Sequence, residues 1–267
     1  MIPKPYGCDV GSGKGGHLFD GVTKVEKLTP QGLVEAFAAL RSKPEVLVAW
    51  DSPLTGPLDP DGVLRRKQDL TQRLIESFFR SKNPPDGISV QGYCGCSHWT
   101  LSQRVLGLPR VGPYSTSYDG LPFRLVCDRE QLATSDDTRA SVVEVHPAVA
   151  IWMWYQAAKM KTTRLRYKNL DAKSGKRRVK AHWKVIRDHV YGATELPDPE
   201  GDDDRLDCLV GWLLARNWIA GNDVILLGNK QTGSFLVPNV RGIAEEFEQF
   251  LKNPRVGMPS TAASSLS

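Results

Sequence analysis

The stretch EVLVAWDSP, residues 45–53, decides the fold. A valine-rich apolar run bounded by Pro44 and Pro53 predicts a buried strand over Glu45–Trp50, because short continuous apolar runs between chain-breaking residues are typical of core strands. The run ends directly in Asp51, whose carboxylate is costly to bury without a compensating charge. The sequence therefore predicts a buried strand that carries a functional or ion-paired carboxylate at its end.

Upstream of this stretch, the sequence predicts three short strands and one helix. The strands are predicted over Tyr6–Val10, Leu18–Asp20 and Val22–Leu28. Glycine-rich punctuation separates the first two strands. Thr29 or Pro30 then opens a helix that extends to about Arg41, because apolar residues recur there at three- and four-residue spacing.

Downstream, residues 52–140 are irregular and predict a helical insertion. Its helices are predicted over Val63–Arg80 and His98–Leu106. A second buried strand follows over Ser141–Val145, and Pro147 fits the first turn of the next helix.

The C-terminal third predicts the closing elements. Asp202 or Asp203 caps a helix that runs to about Ile219. A hairpin over Val224–Leu227 and Ser234–Val237 and a helix near Ile243–Leu251 follow. The order of elements predicts one α/β domain over residues 1–252, with a ribonuclease H-like mixed sheet flanked by helices and an insertion between its fourth and fifth strands. Residues 253–267 are predicted to be a disordered tail.

Composition narrows the setting of this domain. A chain of 267 residues with 40% hydrophobic content is long enough for a sizeable core, and its net charge of +5 is mild. No apolar stretch approaches the roughly 20 residues that cross a bilayer, and the start resembles no secretory signal. The odd number of scattered cysteines, five, is atypical of a disulfide framework. We therefore expect a cytoplasmic protein with no membrane partner.

Carboxylates interrupt or end the predicted buried strands at three places, Asp9, Asp51 and Glu144. Burying ionised carboxylates costs several kcal/mol unless a partner charge compensates them, and a shared divalent cation would do so. Two more carboxylates, Asp204 and Asp207, lie three residues apart and therefore on one face of the predicted closing helix. Such hard oxygen ligands suit Mg²⁺ or Mn²⁺ in a one- or two-metal hydrolytic site. Taken singly, each of these residues could instead cap a helix or pair with a basic side chain.

Six short motifs stand in an order that matches a known family. They are Gly7-Cys8-Asp9 with Lys14, Asp51-Ser52-Pro53-Leu54, Arg66 with Asp69 and Arg73, Glu144-Val145-His146-Pro147-Ala148, Asp207-Cys208-Leu209, and Gly233 with Pro238. On these residues the chain resembles, from about Gly7 to Pro238, the domain of unknown function 429 family, predicted nucleases with a ribonuclease H-like fold. Gln68, His146 and Cys208 depart from the family pattern, which leaves all five ligand candidates in place.

Basic residues provide the predicted substrate contacts. Lys14, Arg66, Arg73 and Lys168 are expected to bind substrate phosphates. A basic arm from Lys159 to Arg187, rich in Lys and Arg, favours a nucleic-acid partner, whether DNA or RNA, with Tyr167 and Trp183 available to stack on unpaired bases. A solvated helix face and loop is the alternative interpretation of this arm.

These features predict a metal-dependent nuclease that hydrolyses phosphodiester bonds. A non-catalytic nucleic-acid-binding or assembly module on the same fold is the first alternative. An ATP-dependent phosphotransferase or ATPase of the actin–hexokinase type is the second, because the glycine-rich stretch at residues 11–16 resembles a phosphate loop. The sequence sets neither the oligomeric state nor the biological pathway.

Overall fold

The apolar stretch that ends in Asp51 forms a strand inside a six-stranded sheet. The computed structural model describes residues 2–11, 14–55, 73–85, 96–108, 120–127, 137–160 and 165–252, with side chains in the range 96–108 described from residue 100 onward. The strands of the sheet are β1 (Lys4–Gly11), β2 (Gly15–Phe19), β3 (Glu26–Leu28), β4 (Val46–Asp51), β5 (Arg124–Val126) and β6 (Ser141–Glu144). Their order is β3-β2-β1-β4-β6-β5. β1, β4, β6 and β5 run parallel, and β2 is antiparallel to β1 and to β3.

Helices cover both faces of this sheet. In the described ranges they are α1 (Pro30–Leu40), α2 (Leu74–Ser81), α3 (Cys96–Leu106), α4 (Pro147–Ala157), α5 (Ala172–His189), α6 (Asp203–Ile219) and α7 (Ile243–Lys252). A separate hairpin is formed by β7 (Val224–Asn229) and β8 (Gly233–Pro238). The predicted α/β class and its mixed sheet are therefore confirmed.

Side-chain alternation along β4 divides the core into two parts. Leu47 and Ala49 join one hydrophobic cluster with α2, α4, α5, α6, α7 and the hairpin. Val48 and Trp50 point to the other face and join α1 and α3. The Trp50 indole donates a hydrogen bond of 3.2 Å to Ser102 on α3. Successive strand residues point to opposite faces, so the position of a residue along a strand decides which layer it meets.

α6 packs closely on β1 because glycine permits it. A Cβ atom at Gly7 would lie 2.1 Å from the Cys208 carbonyl oxygen, so no larger residue fits there. The Cys208 thiol donates to the Gly7 carbonyl oxygen at 3.1 Å. Gly211, one turn further, lies against Ala49 of β4. The N-terminal half of α6 is thereby held across the two central strands.

Most predicted elements are confirmed, with differences in the second and third strands and one added strand. The second strand begins at Gly15 rather than Leu18. The third strand begins at Glu26 rather than Val22, because the Asp20 carboxylate accepts hydrogen bonds from the Val22 and Thr23 amides and holds the chain in a turn. β5, inside the insertion, adds an edge strand that was not predicted. The helix predicted over Val63–Arg80 is described only from Leu74, and the predicted tail at 253–267 lies outside the described residues.

Among the described helices, none combines the length and the apolar character that a membrane span requires.

Candidate functional site

Three polar side chains form a row across neighbouring strands. Asp9 of β1 is the register partner of Asp51 on β4 and of His17 on β2. Register partners point to the same face of a sheet, and this is the face on which α6 packs. Asp9 and His17 are 5% and 4% exposed, whereas Asp51 at the end of β4 is partly open to solvent.

α6 brings two further carboxylates to this row. The Asp202 carboxylate accepts a hydrogen bond from the Arg205 amide and begins the helix, as predicted. Asp204 and Asp207 then lie one turn apart, with Asp204 towards solvent and Asp207 1% exposed. One ligand oxygen each from Asp9, Asp51 and Asp207 lie within 4.8 Å of one another. We call these three residues the aspartate cluster. A second group within the same limit joins Asp9, His17 and Asp204.

The positive charge of Lys168 only partly compensates the negative charges of the aspartate cluster. Burial raises the pKa of Asp207 to about 7, although Lys168 acts in the opposite direction. Burial raises the pKa of Asp51 well above its usual range, and Asp207 and Asp9 raise it further against the effect of Lys168. Burial also raises the pKa of Asp204, with a further contribution from Asp9. These carboxylates repel one another, so a positive charge placed among them would be stabilised.

Two residues from the segment before α5 contact Asp207. The Tyr167 hydroxyl donates a hydrogen bond of 2.6 Å to Asp207 Oδ1, and the Lys168 ammonium forms an ion pair with Oδ2. The Lys168 side chain is 42% exposed, whereas Tyr167 is buried. Lys168 was predicted to bind a substrate phosphate; here its partner is a carboxylate of the cluster. Its exposure leaves it free to exchange one anionic partner for another.

The structure places Glu144 apart from the aspartate cluster. Glu144 is the register partner of Trp50, not of Asp51, so its side chain points to the opposite face of the sheet. Both of its oxygens accept hydrogen bonds from Arg73, and Oε2 also accepts one from the Leu54 amide at 2.9 Å. Burial raises the pKa of Glu144 to about 7 against the effect of Arg73. The predicted placement of Glu144 among the metal ligands is therefore corrected.

Arg73 is corrected with it. Its guanidinium is fully buried and ion-pairs with Glu76 and Glu144. One further N–H group donates to the Thr55 carbonyl oxygen at 2.6 Å. A guanidinium has five N–H donors, and these partners engage all three of its nitrogens, so none is directed at a substrate. We call Arg73, Glu76 and Glu144 the arginine cluster.

The other residues predicted to contact substrate are Lys14, Arg66 and those of the basic arm. Lys14 is exposed in the turn that precedes β2, near the Asp9 end of β1. Arg66 lies outside the described residues. The basic arm folds largely into α5, which starts at an Asp171 cap. Tyr167 and Trp183 were predicted to stack on bases, but they are 3% and 2% exposed because they belong to the apolar face that packs into the core.

Basic side chains remain on the outer surface of α5. The exposed ones are Lys173, Lys176, Arg177, Lys180, Lys184 and Arg187. Lys176 packs against Gly201, so this helix lies beside the N-terminus of α6 and its Asp204. The basic surface is therefore adjacent to the carboxylates that α6 carries.

His17 and the contact of the Tyr167 hydroxyl with Asp207 were not predicted from the sequence. His17 lies in a stretch of glycines that predicts a turn, and only the pairing of β1 with β2 places it beside Asp9. The signal available in the sequence was the two-residue spacing of His17 and Phe19, which places both side chains on one face of a short strand. Tyr167 was recognised as an aromatic residue of the arm, yet its hydroxyl is what contacts the site.

The comparisons with known proteins concern the C-terminal half of this arrangement. Neither the curated proteins nor the solved structures contain a significant match. The family model described as Protein of unknown function (DUF429) matches residues 123–232. This segment contains Lys168, Asp204 and Asp207, whereas Asp9 and Asp51 precede it. Over residues 123–232, the predicted resemblance to the domain of unknown function 429 family is therefore confirmed.

Proposed function

We propose that the protein is a metal-dependent nuclease that hydrolyses phosphodiester bonds at the aspartate cluster. The observation that carries this proposal is the convergence of Asp9, Asp51 and Asp207 from two strands and one helix to within 4.8 Å. The three carboxylates come from distant parts of the chain, and burial and repulsion by neighbouring carboxylates raise the pKa values of Asp51 and Asp207. A fold that retains such an arrangement at the expense of stability suggests a functional site.

The donor set fits a divalent cation. Carboxylate oxygens are the preferred ligands of Mg²⁺ and Mn²⁺, and Asp9, Asp51 and Asp207 would hold such an ion. When bound, divalent ions supply Lewis acidity and positive charge at a phosphate. Asp9 belongs to both ligand groups and can therefore serve either one ion or two.

The protein's own residues have separable roles in this proposal. The Tyr167 hydroxyl donates to Asp207 Oδ1 and would hold that carboxylate in position. Lys168 neutralises Oδ2 and, when a cation takes over that task, is placed to contact a substrate phosphate. The exposed basic residues of α5 would bind the backbone of a nucleic acid through charge alone, without sequence preference. Two buried thiols, Cys8 and Cys208, are free of disulfides and accord with the proposed cytoplasmic location.

A panel of labelled branched, single-stranded and hybrid nucleic acids tests the proposal. We expect cleavage of at least one substrate with Mn²⁺ or Mg²⁺, its loss with a chelator, and its loss in Asp9→Asn. Glu246→Gln is the matched control, because Glu246 is an exposed carboxylate of α7 that ion-pairs with Lys82 and is not part of the basic surface of α5. Cleavage that survives both the chelator and Asp9→Asn would contradict the proposal.

A second candidate function, a non-catalytic nucleic-acid-binding module, is favoured by one observation. Lys168 already supplies a positive charge to Asp207, so part of the repulsion is relieved without a metal. This candidate predicts that Asp9→Asn binds nucleic acid as the unmodified protein does, with no substrate cut by either. The phosphotransferase alternative has less support, because the described residues contain one six-stranded sheet and no second copy of it.

A further inference from the structure

The Nδ1 atom of the buried His17 imidazole lies near Asp9 and has no hydrogen-bond partner among the described residues. His17 belongs to β2, a strand in which every residue is buried, and it is only 4% exposed. Within the described residues, no donor or acceptor reaches its Nδ1 atom. A buried polar atom without a partner is costly, so such atoms in folded proteins are usually explained by a ligand, a water or a functional role.

The distance from His17 to Asp9 points to a shared ion. His17 Nδ1 lies 3.8 Å from Asp9 Oδ2, which is too long for a hydrogen bond. Two ligand atoms that each lie about 2.1 Å from one transition-metal ion can be separated by up to roughly 4.2 Å. The observed separation is therefore within the range of two ligands on a common ion.

Asp204 completes a three-ligand group. One oxygen of Asp204 lies with His17 and Asp9 inside the 4.8 Å limit, and it approaches from the first turn of α6. Because Asp204 is on the solvent side, the group is open to entry of an ion and of water ligands. Asp9 is shared with the aspartate cluster, so this group is a second position next to the first.

We propose that His17, Asp9 and Asp204 form a second cation position that selects a transition-metal ion, with Mn²⁺ as the representative, over Mg²⁺. Imidazole nitrogen favours first-row transition ions, whereas Mg²⁺ is held by oxygen ligands and water. A position with one nitrogen and two carboxylate donors therefore discriminates against Mg²⁺, unlike the all-carboxylate aspartate cluster. This inference deepens the proposed function and rests on it only through the shared residue Asp9.

The competing interpretation is that His17 is a counter-ion. A protonated imidazole 3.8 Å from Asp9 would neutralise that carboxylate and oppose binding of a metal. The two interpretations predict opposite effects when the imidazole is removed. As a ligand, His17 strengthens Mn²⁺ binding; as a counter-ion, it weakens it.

Titration calorimetry with Mn²⁺ and with Mg²⁺, on the full chain and its His17→Gln variant, separates them. We expect His17→Gln to lower the affinity of one Mn²⁺ position by at least about tenfold and to leave Mg²⁺ binding within about twofold, since loss of even an outer-shell partner costs 10- to 100-fold. His189→Gln is the matched control, because His189 is exposed at the end of α5. Pulsed electron paramagnetic resonance of the Mn²⁺ complex should show coupling to a ¹⁴N nucleus that disappears in His17→Gln only.

Asp204→Asn tests the same position from the helix side, should His17→Gln fail to fold. It is expected to weaken the Mn²⁺ position that has the ¹⁴N coupling. Unchanged or tighter Mn²⁺ binding in His17→Gln, or the absence of ¹⁴N coupling in the unmodified protein, would overturn the inference. Mn²⁺ binding with these properties but without cleavage of any nucleic acid would overturn the proposed nuclease function alone. Absence of any Mn²⁺ binding would overturn both.

Discussion

The aspartate cluster and the arginine cluster are two groups of buried carboxylates at the same edge of one sheet, and they differ in how their charge is compensated. In the arginine cluster, Arg73 is fully buried between Glu76 and Glu144. In the aspartate cluster, three carboxylates share one ion-paired lysine that is 42% exposed. A carboxylate in an apolar strand is thus not sufficient evidence of a metal ligand, because a buried guanidinium can take the place of a cation.

The difference also separates two roles. The arginine cluster ties the chain after β4 to β6 and α2, since Glu144 accepts from the Leu54 amide and Arg73 donates to the Thr55 carbonyl oxygen. It therefore fixes the segment that directly follows Asp51. The aspartate cluster has no such internal partner among the described residues beyond Tyr167, Lys168 and His17. We assign stability to the first group and chemistry to the second.

Removing the buried guanidinium should produce the largest effect. Arg73→Met leaves two buried glutamates without their cation, and breaking a buried ion pair typically costs about 3–5 kcal/mol. We expect this loss in the free energy of unfolding measured with urea, whereas Lys168→Met should stay within about 1 kcal/mol because Lys168 is partly exposed. The variant Arg73→Met/Glu76→Gln/Glu144→Gln should recover much of the loss. Equal destabilisation by Arg73→Met and Lys168→Met would remove the distinction between the clusters.

One chemical change, carboxylate to amide, applied to each cluster sharpens the comparison. Asp207→Asn should reduce nucleic-acid cleavage by about a hundredfold or more, because a lost ligand should cost at least as much as a lost outer-shell partner. Glu144→Gln should keep cleavage within about tenfold as long as the protein remains folded, because Glu144 points to the other face of the sheet. Initial rates with Mn²⁺ on a substrate that the unmodified protein cleaves measure both. A greater loss in Glu144→Gln than in Asp207→Asn would reverse the assignment of chemistry.

Lys168 should compete with the metal for Asp207. Lys168→Met removes a positive charge from the cluster, so the affinity for Mn²⁺ should rise by about tenfold at low ionic strength. Cleavage should nevertheless fall if Lys168 also binds the substrate phosphate. Lys4→Met is a suitable control, because Lys4 is 43% exposed, ion-pairs with Asp20 and is not part of the basic surface of α5. Weaker Mn²⁺ binding in Lys168→Met would show that the lysine is not a competitor.

The smallest expected effect is a dependence of stability on pH in the presence of chelator. The pKa of Asp207 is about 7 in the folded protein and near 4 when unfolded, so the folded state binds more protons between these values. The free energy of unfolding should therefore fall as pH rises from about 4 to about 7, by on the order of 1 kcal/mol after its coupling to neighbours is discounted. Asp207→Asn should flatten this slope in urea unfolding, whereas Glu144→Gln removes the separate contribution of the other cluster. A slope that persists in full in Asp207→Asn would assign the titration elsewhere.

The sequence predicts the positions of these carboxylates better than their partners. Helical spacing correctly placed Asp204 and Asp207 on one face, and the ends of two apolar runs correctly brought Asp9 and Asp51 to one edge. Glu144 met the same pattern, yet a register shift of one residue directs it to the opposite face. Such a shift depends on long-range strand pairing, which local composition does not specify.

Partners that are distant in sequence were the least predictable. Arg73 was identified from a motif as a phosphate contact, but its two glutamates and the Thr55 carbonyl oxygen surround it only after folding. Tyr167 and Trp183 were predicted to stack on unpaired bases, although both are buried in the hydrophobic core. His17 was hidden in a glycine-rich stretch that predicts a turn rather than a strand.

Whether the aspartate cluster binds a metal ion can be observed in crystals soaked with Mn²⁺ and measured at a wavelength that gives an anomalous Mn signal. We expect an anomalous peak between the carboxylates of Asp9, Asp51 and Asp207, no peak at the arginine cluster, and loss of the first peak in Asp207→Asn. Two results would contradict metal binding by the aspartate cluster. One is an anomalous peak at Glu144, and the other is the absence of any peak at saturating Mn²⁺ with Lys168 still ion-paired to Asp207.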